Sequence, residues 1–270
     1  MKRLASVVFA SLFILSLGIS VIRYCGVGIW DTVEFDGGET KIIAHRGLSG
    51  LEIENTEEAF IAAGERSYYG IEADIRRTAD GKFIICHDAD LERLCGVDIE
   101  VEATPFDELM EIPLRNKWWR ADDGSARFST LEGYIEICKK YGKTAILELK
   151  SEFCTEEIES IIEIIDSLDY LGSVIFISFD YDNLLQVRSF LPEQSVQYLF
   201  SEFDGETIEM LKRDRIDAAV NHTHLTRQLI EEMHSAGLKV NCWTVDLRVT
   251  AVILAEMGVD YITTNILESK

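Results

Sequence analysis

Eight side chains in this sequence could share one chemical task, because each lies at or near the end of a short apolar run. They are two histidines, three carboxylates, an arginine, a lysine and a tryptophan: His45, His87, Glu72, Asp74, Glu148, Arg46, Lys150 and Trp243. Three carboxylates without a nearby thiolate favour a hard divalent cation such as Ca²⁺ or Mg²⁺. Arginine and lysine suit phosphate oxygens, and two histidines can divide the roles of general base and general acid. Together these groups indicate phosphodiester cleavage.

Eight β-rich runs, alternating with helical patterns, must position these residues. The runs are 41–44, 70–75, 144–149, 173–178, 195–200, 217–221, 239–245 and 260–264. Ser129 and Glu132 have capping-box spacing before one helical stretch, and Thr155 opens the next. Eight strand–helix units predict an α/β fold, a TIM (β/α)8 barrel, in which chemistry gathers at the C-terminal ends of the strands. A doubly wound open sheet is the alternative, but the glycine-rich loop typical of its first turn is absent.

The second predicted barrel strand turns back on itself instead of entering a helix. Asp80 and Gly81 form a strong hairpin signal, so a β-hairpin extension is predicted after this strand. Glu72 and Asp74 share one face at a spacing of two residues. A two-residue loop at Asp80-Gly81 would place His87 opposite Asp74, on the same face.

An insertion is predicted at about 88–128, because this segment is too long for a plain connection. It contains Trp118 and Trp119, which form either a local core or a lid over the site. Both interpretations stay open at this point.

Structural interpretations compete with the functional one. Glu148 and Lys150 could be a structural ion pair at the barrel rim. Charged or polar residues that suit one reaction occur at three successive strand ends, however, and this favours a shared site. His222 and His224 also follow a predicted strand and could line the pocket from a loop. His234 lies in a predicted helix and is interpreted as structural.

The N-terminus predicts a membrane segment. No charged residue lies in 4–22, between Lys2-Arg3 and Arg23, and nineteen helical residues span roughly 28 Å, close to the thickness of a bilayer core. The predicted organisation is a signal-anchor or transmembrane segment, a linker and a barrel domain, at 1–23, 24–40 and 41–270. The barrel is therefore expected to be membrane-anchored and extracytoplasmic. Secretion after cleavage of a signal peptide is the alternative.

Charge and cysteine content narrow the other possibilities. A net charge of −22 argues against nucleic acid as a partner and against broad attraction to anionic membranes. Six scattered cysteines without C-x-x-C spacing are interpreted as small buried hydrophobes. A disulfide between Cys86 and Cys95 is left open for an oxidising compartment.

The order of short motifs resembles that of the glycerophosphodiester phosphodiesterases. The matching pattern is "AHRG…ENT…AF…A…G…E-x-D…T-x-DG…HD…L-x-R…E-x-K…W-T-V", over nearly all of 41–265. The resemblance implies a TIM barrel, a divalent metal, and hydrolysis of glycerophosphodiesters to sn-glycerol 3-phosphate and an alcohol. The related alternatives are a phospholipase D- or C-like barrel acting on lysolipids or on a surface glycerol-phosphate polymer, and a non-catalytic binding barrel.

Where a motif matches, the resemblance implies a role for the residue at that position of this chain. The implied acid/base pair is His45 and His87; the implied metal ligands are Glu72, Asp74 and Glu148; the implied substrate-binding residues are Arg46, Lys150 and Trp243. Glu54 is given a supporting role near Arg46. The chain departs from the family at Ile53, where a proline usually precedes Glu-Asn-Thr.

Overall fold

The structure, a computed structural model, describes residues 31–115, 124–202 and 204–270. Eleven strands lie in these ranges: β1 (Val33–Phe35), β2 (Lys41–Ala44), β3 (Gly70–Arg77), β4 (Phe83–Ile85), β5 (Thr144–Leu149), β6 (Val174–Ser178), β7 (Val196–Phe200), β8 (Asp217–Asn221), β9 (Val240–Trp243), β10 (Tyr261–Thr264) and β11 (Leu267–Ser269). Eight of them are parallel and follow one another in the order β2-β3-β5-β6-β7-β8-β9-β10. Because β10 also pairs with β2, the ring closes, and the predicted TIM barrel is confirmed.

Helices follow most barrel strands and cover the outside of the ring. Those in the described ranges are α1 (Glu57–Gly64), α2 (Glu92–Cys95), α3 (Phe106–Glu111), α4 (Leu131–Tyr141), α5 (Thr155–Ser167), α6 (Tyr181–Phe190), α7 (Gly205–Asp214), α8 (Arg227–Ser235) and α9 (Arg248–Met257). In α4 the buried residues Leu131, Tyr134, Ile135 and Cys138 recur at helical spacing and form one apolar stripe toward the strands. The residue that caps α4 is Thr130, which accepts from the Gly133 amide at 3.0 Å. The capping box predicted for Ser129 and Glu132 is therefore wrong by one residue.

The barrel interior is a packed apolar layer beneath the C-terminal ends of the strands. Its buried residues come from alternate strand positions: Ile43, Ile146, Ile175, Ile177, Leu199, Ala219 and Tyr261. Interior packing of this kind fills a small barrel and leaves its open end for chemistry. The polar side chains of the site lie above this layer.

The predicted hairpin after the second barrel strand is confirmed, but its predicted register is wrong. Antiparallel pairing aligns Ile75 with Ile85, and the Cys86 amide donates to the Asp74 carbonyl at 2.9 Å. Asp74 therefore lies opposite Cys86 and not opposite His87. The physical reason is a three-residue turn, 79–81, whose last residue Gly81 has a φ of 75°, in place of the assumed two-residue turn.

The predicted insertion builds a second, smaller core beside the barrel, here called the satellite core. Nine buried residues in the described part of the chain belong to it: Ile84, Cys86, Leu91, Leu94, Cys95, Val101, Leu109, Leu114 and Phe128. Ile53, from the loop after β2, packs against this core. Trp118 and Trp119 lie outside the described residues, so whether they form a core or a lid stays a prediction.

The segment before the barrel is partly folded. Val33–Phe35 forms β1, which pairs in parallel with Leu267–Ser269, and Phe35 is fully buried. The segment predicted as a linker, 24–40, thus contains a short strand, and its Phe35 packs in the main core. No helix within the described ranges is long and apolar enough to cross a membrane, and the segment predicted as an anchor, 1–23, lies outside them.

Most of the described cysteines are buried, as the sequence predicts. Four of them are buried free thiols: Cys86, Cys95, Cys138 and Cys242. Cys154 is free and exposed, so it is the exception to the predicted burial, and Cys25 lies outside the described residues. The Cys86–Cys95 disulfide that the sequence left open is not formed.

Candidate active site

The predicted site residues meet at the C-terminal end of the barrel, around a pocket of about 480 Å³. Seven of the eight line this pocket: His45, Arg46, Glu72, His87, Glu148, Lys150 and Trp243. The eighth, Asp74, is fully buried and forms ion pairs with Arg46 and Lys150. Strand order explains the convergence, because parallel strands bring their carboxyl ends to one face of the barrel.

The three carboxylates form a tight, buried cluster. Asp74 on β3 and Glu148 on β5 are partners in the strand register, and Glu72 lies two residues before Asp74 on the same face. One oxygen from each of the three lies within 4.8 Å of the others. Oε1 of Glu72 and Oδ1 of Asp74 are buried and make no hydrogen bond to the described residues. Buried oxygens of this kind are costly unless a cation compensates them.

Crowding of negative charge perturbs these carboxyl groups. Burial, and then the charges of Asp74 and Glu148, raise the pKa of Glu72 well above its usual value. Burial and the charge of Asp74 raise the pKa of Glu148 to about 7. Burial also acts to raise the pKa of Asp74, but nearby positive charges, Arg46 first, outweigh it and leave that pKa lowered. Three oxygen ligands with an excess of negative charge fit a hard divalent cation.

Arg46 is held by a strained turn directly after β2. Its φ is 54° and that of Gly47 is 74°, and this turn aims the Arg46 amide at Oε2 of Glu72, 2.6 Å away. A Cβ on Gly47 would lie 2.6 Å from the backbone carbon of Ala59, so glycine is required there. The Arg46 guanidinium donates to Oε1 of Glu54 at 2.7 Å, which places Glu54 beside Arg46 as predicted.

Lys150 and an aromatic wall face each other across the pocket. The Lys150 ammonium donates to Oε1 of Glu148 at 2.8 Å and lies 5.7 Å from the ring centre of Phe179. Phe179 meets Trp243 edge-on, with ring centres 5.5 Å apart. The Trp243 indole is fixed by a 3.0 Å hydrogen bond to the Ala219 carbonyl. The pocket therefore has a charged side and an apolar side.

His45 is oriented by an amide. Its Nδ1 lies 2.8 Å from Oδ1 of Asn265, while the Asn265 amide nitrogen donates to Asp246 at 2.7 Å. Since the Asn265 nitrogen is committed to Asp246, its oxygen must accept, so Nδ1 of His45 carries a proton and Nε2 is left with a lone pair. Burial, and next the charge of Arg46, lower the pKa of His45.

His87 is oriented by a carboxylate instead. Its Nδ1 lies 2.7 Å from Oδ1 of Asp88, and a carboxylate accepts, so this nitrogen also carries a proton. Burial, together with the charges of Arg46 and Lys150, lowers the pKa of His87. A carboxylate partner stabilises an imidazolium more than an amide partner does. The partner of His87 therefore favours the doubly protonated ring more than the partner of His45 does.

The other histidines singled out from the sequence do not line this pocket. His222 directs Nδ1 toward the Trp243 carbonyl, 3.2 Å away, and with His224 it belongs to a short 3₁₀ helix. His234 pairs with Asp260 at 2.9 Å and is structural, as predicted.

Several polar groups that support the site were not assigned from the sequence. Asn55 donates to Asp74 at 2.8 Å, Asp88 and Asn265 orient the two histidines, and Arg93 bonds Glu54 and Asp88. Phe179 forms part of the apolar wall. Four of these residues carried a signal in the sequence. Asn55, Asp88 and Arg93 stand in the quoted Glu-Asn-Thr, His-Asp and Leu-x-Arg motifs, and Asn265 directly follows the last predicted strand. Nothing in the sequence tells which partner each side chain reaches.

A comparison with known families decides the assignment. The sequence model of the glycerophosphoryl diester phosphodiesterase family matches residues 45–269. The chain belongs to this family. Membership makes the protein an enzyme, a phosphoric diester hydrolase.

Relatives in the family share most of their length with this chain. The Bacillus subtilis protein YhdW is 30% identical over 239 residues, which are 83% of this chain and 93% of that protein. A glycerophosphodiester phosphodiesterase of Caldanaerobacter subterraneus is 27% identical over 230 residues, 84% of this chain and 94% of that protein. A solved Oleispira antarctica phosphodiesterase, in complex with the product sn-glycerol-3-phosphate, matches with a TM-score of 0.76 at 27% identity, over 83% of this chain and 92% of that one.

Proposed function

We propose that this enzyme hydrolyses glycerophosphodiesters to sn-glycerol 3-phosphate and an alcohol, with a divalent cation as cofactor. The observation that carries the proposal is the buried carboxylate cluster between two basic side chains and two oriented histidines. The product bound to the Oleispira antarctica phosphodiesterase supports the same substrate class.

The carboxylates Glu72, Asp74 and Glu148 are the proposed cation ligands, because one oxygen of each converges on the same point. Two of the buried oxygens, Oε1 of Glu72 and Oδ1 of Asp74, accept no hydrogen bond from the described residues. A bound Ca²⁺ or Mg²⁺ would supply positive charge beside the phosphate oxygens. Without a cation, the raised pKa values of Glu72 and Glu148 favour their protonated forms. A bound cation would favour the ionised forms instead.

Substrate binding is assigned to the two sides of the pocket. Arg46 and Lys150 would hold the phosphate, Arg46 as a planar fork and Lys150 as a point charge. Trp243 and Phe179 would pack against the carbon atoms of the glycerol.

We assign the base role to His45 and the acid role to His87. Nε2 of His45 has a free lone pair and could take the proton of the hydroxyl that attacks phosphorus. As an imidazolium, with its Nδ1–H held by the Asp88 carboxylate, His87 would give its Nε2 proton to the alcohol oxygen as the bond between that oxygen and phosphorus breaks.

A substrate comparison tests the proposed activity. The full chain would be assayed with a divalent cation on glycerophosphocholine, a lysophospholipid and a glycerol-phosphate polymer, and release of glycerol 3-phosphate or choline measured. We expect the water-soluble glycerophosphodiester to be cleaved fastest. Preference for the lysophospholipid or the polymer would favour the related lipid or surface reaction, and binding without turnover would favour a non-catalytic barrel.

We also propose that residues 1–23 anchor the enzyme in a membrane with the barrel outside the cytoplasm. The support is the uncharged stretch 4–22 after Lys2 and Arg3. Cell fractionation with protease accessibility tests this: the intact chain should be in the membrane fraction, and protease added outside should remove the barrel. Recovery in the medium of a chain lacking this segment would favour secretion.

A further inference from the structure

Arg93 joins two loops of the site through one guanidinium group. Its Nη1 and Nη2 donate to the two oxygens of Glu54, both at 2.8 Å. Its Nε donates to Oδ2 of Asp88 at 2.7 Å. The guanidinium therefore spends all three nitrogens on two carboxylates from different parts of the chain.

Each carboxylate that Arg93 holds is in turn bonded to a residue of the pocket. Glu54 accepts from the Arg46 guanidinium at 2.7 Å, and Asp88 accepts from the ring of His87 at 2.7 Å. Arg93 itself does not line the pocket, and its side chain is half exposed. Among the described residues, its hydrogen bonds reach the pocket through Glu54 and Asp88.

The satellite core fixes the base of this arrangement. Arg93 belongs to the short helix α2, whose next residues, Leu94 and Cys95, are buried in that core. Ile53, directly before Glu54, packs against the same core. An apolar contact of Ile53 therefore holds the loop that carries Glu54 against the same core that holds the helix of Arg93.

We propose that Arg93 is a positioning residue that sets the phosphate-binding Arg46 and the proton donor His87 in one geometry. This inference rests on the proposed roles of these two residues. The planar fork matters because it reaches two carboxylates at once, whereas a lysine ammonium is a single point charge. Arg93, a residue of the insertion, thereby acts on catalysis without touching the substrate itself.

Two substrates that differ in their leaving group separate positioning from simple stabilisation. Glycerophosphocholine needs a proton on its leaving oxygen, but a nitrophenyl ester of glycerol 3-phosphate does not. For Arg93→Ala we expect kcat on glycerophosphocholine to fall about 10- to 100-fold, because small displacements of catalytic groups cost this much. On the nitrophenyl ester kcat should change less than about threefold, while KM rises on both substrates through Arg46. Arg93→Lys should behave like Arg93→Ala.

Arg77 offers a matched control. It is a part-exposed arginine that also bridges two carboxylates, Glu102 in the insertion and Glu157 on α5, and it does not line the pocket. Arg77→Ala should leave both kcat values unchanged. Equal loss on both substrates for Arg93→Ala, or a similar loss for Arg77→Ala, would show a structural role and overturn the proposal.

A second variant covers the possibility that Arg93→Ala does not fold. Asp88→Asn keeps the shape of the side chain and should reproduce the selective loss on glycerophosphocholine. Where both single variants fold, the double variant should lose little more than Asp88→Asn alone. Additive losses in the double variant, or a wild-type rate on glycerophosphocholine for Asp88→Asn, would contradict the proposal.

A readout without turnover keeps the inference separate from the proposed reaction. The ¹⁵N NMR signals of the His87 ring report which nitrogen carries the proton. We expect Nδ1 of His87 to carry a proton throughout the full wild-type chain, whether or not Nε2 is also protonated, and to carry it in a smaller fraction of Arg93→Ala molecules. An unchanged spectrum in Arg93→Ala would refute the positioning role, whether or not the wild type is active. Inactivity of the wild type on glycerophosphodiesters would refute only the proposed function.

Discussion

Replacing Glu148 with glutamine should stabilise the cation-free enzyme above pH 7 and remove most of its response to a divalent cation. Glu148 is buried beside Asp74 and Glu72, and burial with the charge of Asp74 raises its pKa to about 7. The folded state keeps the proton to a higher pH than the unfolded state does. Stability should therefore fall as pH rises from about 4.5 through about 7.

The magnitude follows from the two pKa values. A rise from the usual 4.5 to about 7, at about 1.4 kcal/mol per unit of pKa, costs the fully ionised folded state about 3 kcal/mol. Glutamine avoids this cost and can still accept from the Lys150 ammonium, now 2.8 Å from Oε1. Lys150 loses a charged partner, so the net gain should be about 1–2 kcal/mol.

The assay is urea unfolding at pH 8 with chelator and with excess Ca²⁺ or Mg²⁺. With chelator the Glu148→Gln variant should be the more stable protein. A cation at a hundred times its dissociation constant should add about 2.7 kcal/mol to the wild type and much less to the variant, so the order should reverse. The control is Glu209→Gln, which alters an exposed pair with Lys212. A variant less stable than the wild type with chelator, or equally stabilised by the cation, would refute the reasoning.

Three further predictions follow from single contacts. His87→Gln should lower kcat on glycerophosphocholine by about 10²- to 10⁴-fold, but its kcat on a nitrophenyl ester should be close to that of the wild type. His45→Gln should have a low kcat on both substrates. A near-wild-type kcat of the His45 variant on the nitrophenyl ester would reverse the assigned roles. Glu54→Gln should destabilise the fold at pH 7, because hydrogen bonds from Arg93 and Arg46 outweigh burial and lower the pKa of Glu54 to about 2. The loss of stability should shrink as pH falls from about 4.5 toward 2, where Glu54 takes up a proton. Urea unfolding measures this, and a stability difference between variant and wild type that stays the same over this pH range would contradict it. Tyr134→Phe should cost about 1–2 kcal/mol in urea unfolding, because the buried hydroxyl donates to a backbone carbonyl at 2.7 Å; no loss would contradict it.

The barrel could be predicted from the sequence because each strand is a short apolar run between helical patterns. Predicted and observed strands agree within two residues at either end, and three of the eight, including 144–149, agree fully. The register at the hairpin could not be predicted, because Asp80-Gly81 is compatible with loops of two or three residues. The strand at 33–35 was missed, since its partner is Leu267–Ser269 at the far end of the chain.

The site itself was more predictable than its support. His45, Glu72 and Glu148 converge because barrel topology brings strand ends together, and this follows from strand order alone. The bonds of Arg93 to Glu54 and Asp88 depend on how the insertion packs, and no local pattern encodes that packing. Side-chain partners across 39 residues come from tertiary structure and could be seen only there.

Release of sn-glycerol 3-phosphate from glycerophosphocholine by the full chain, measured with chelator and again after Ca²⁺ or Mg²⁺ is added, tests the proposed reaction and cofactor together. The converging carboxylates, with buried oxygens of Glu72 and Asp74 that accept no hydrogen bond from the described residues, predict turnover that chelator removes and a divalent cation restores. Turnover that is indifferent to chelator would contradict the cation site. No release with either ion would contradict the proposed substrate.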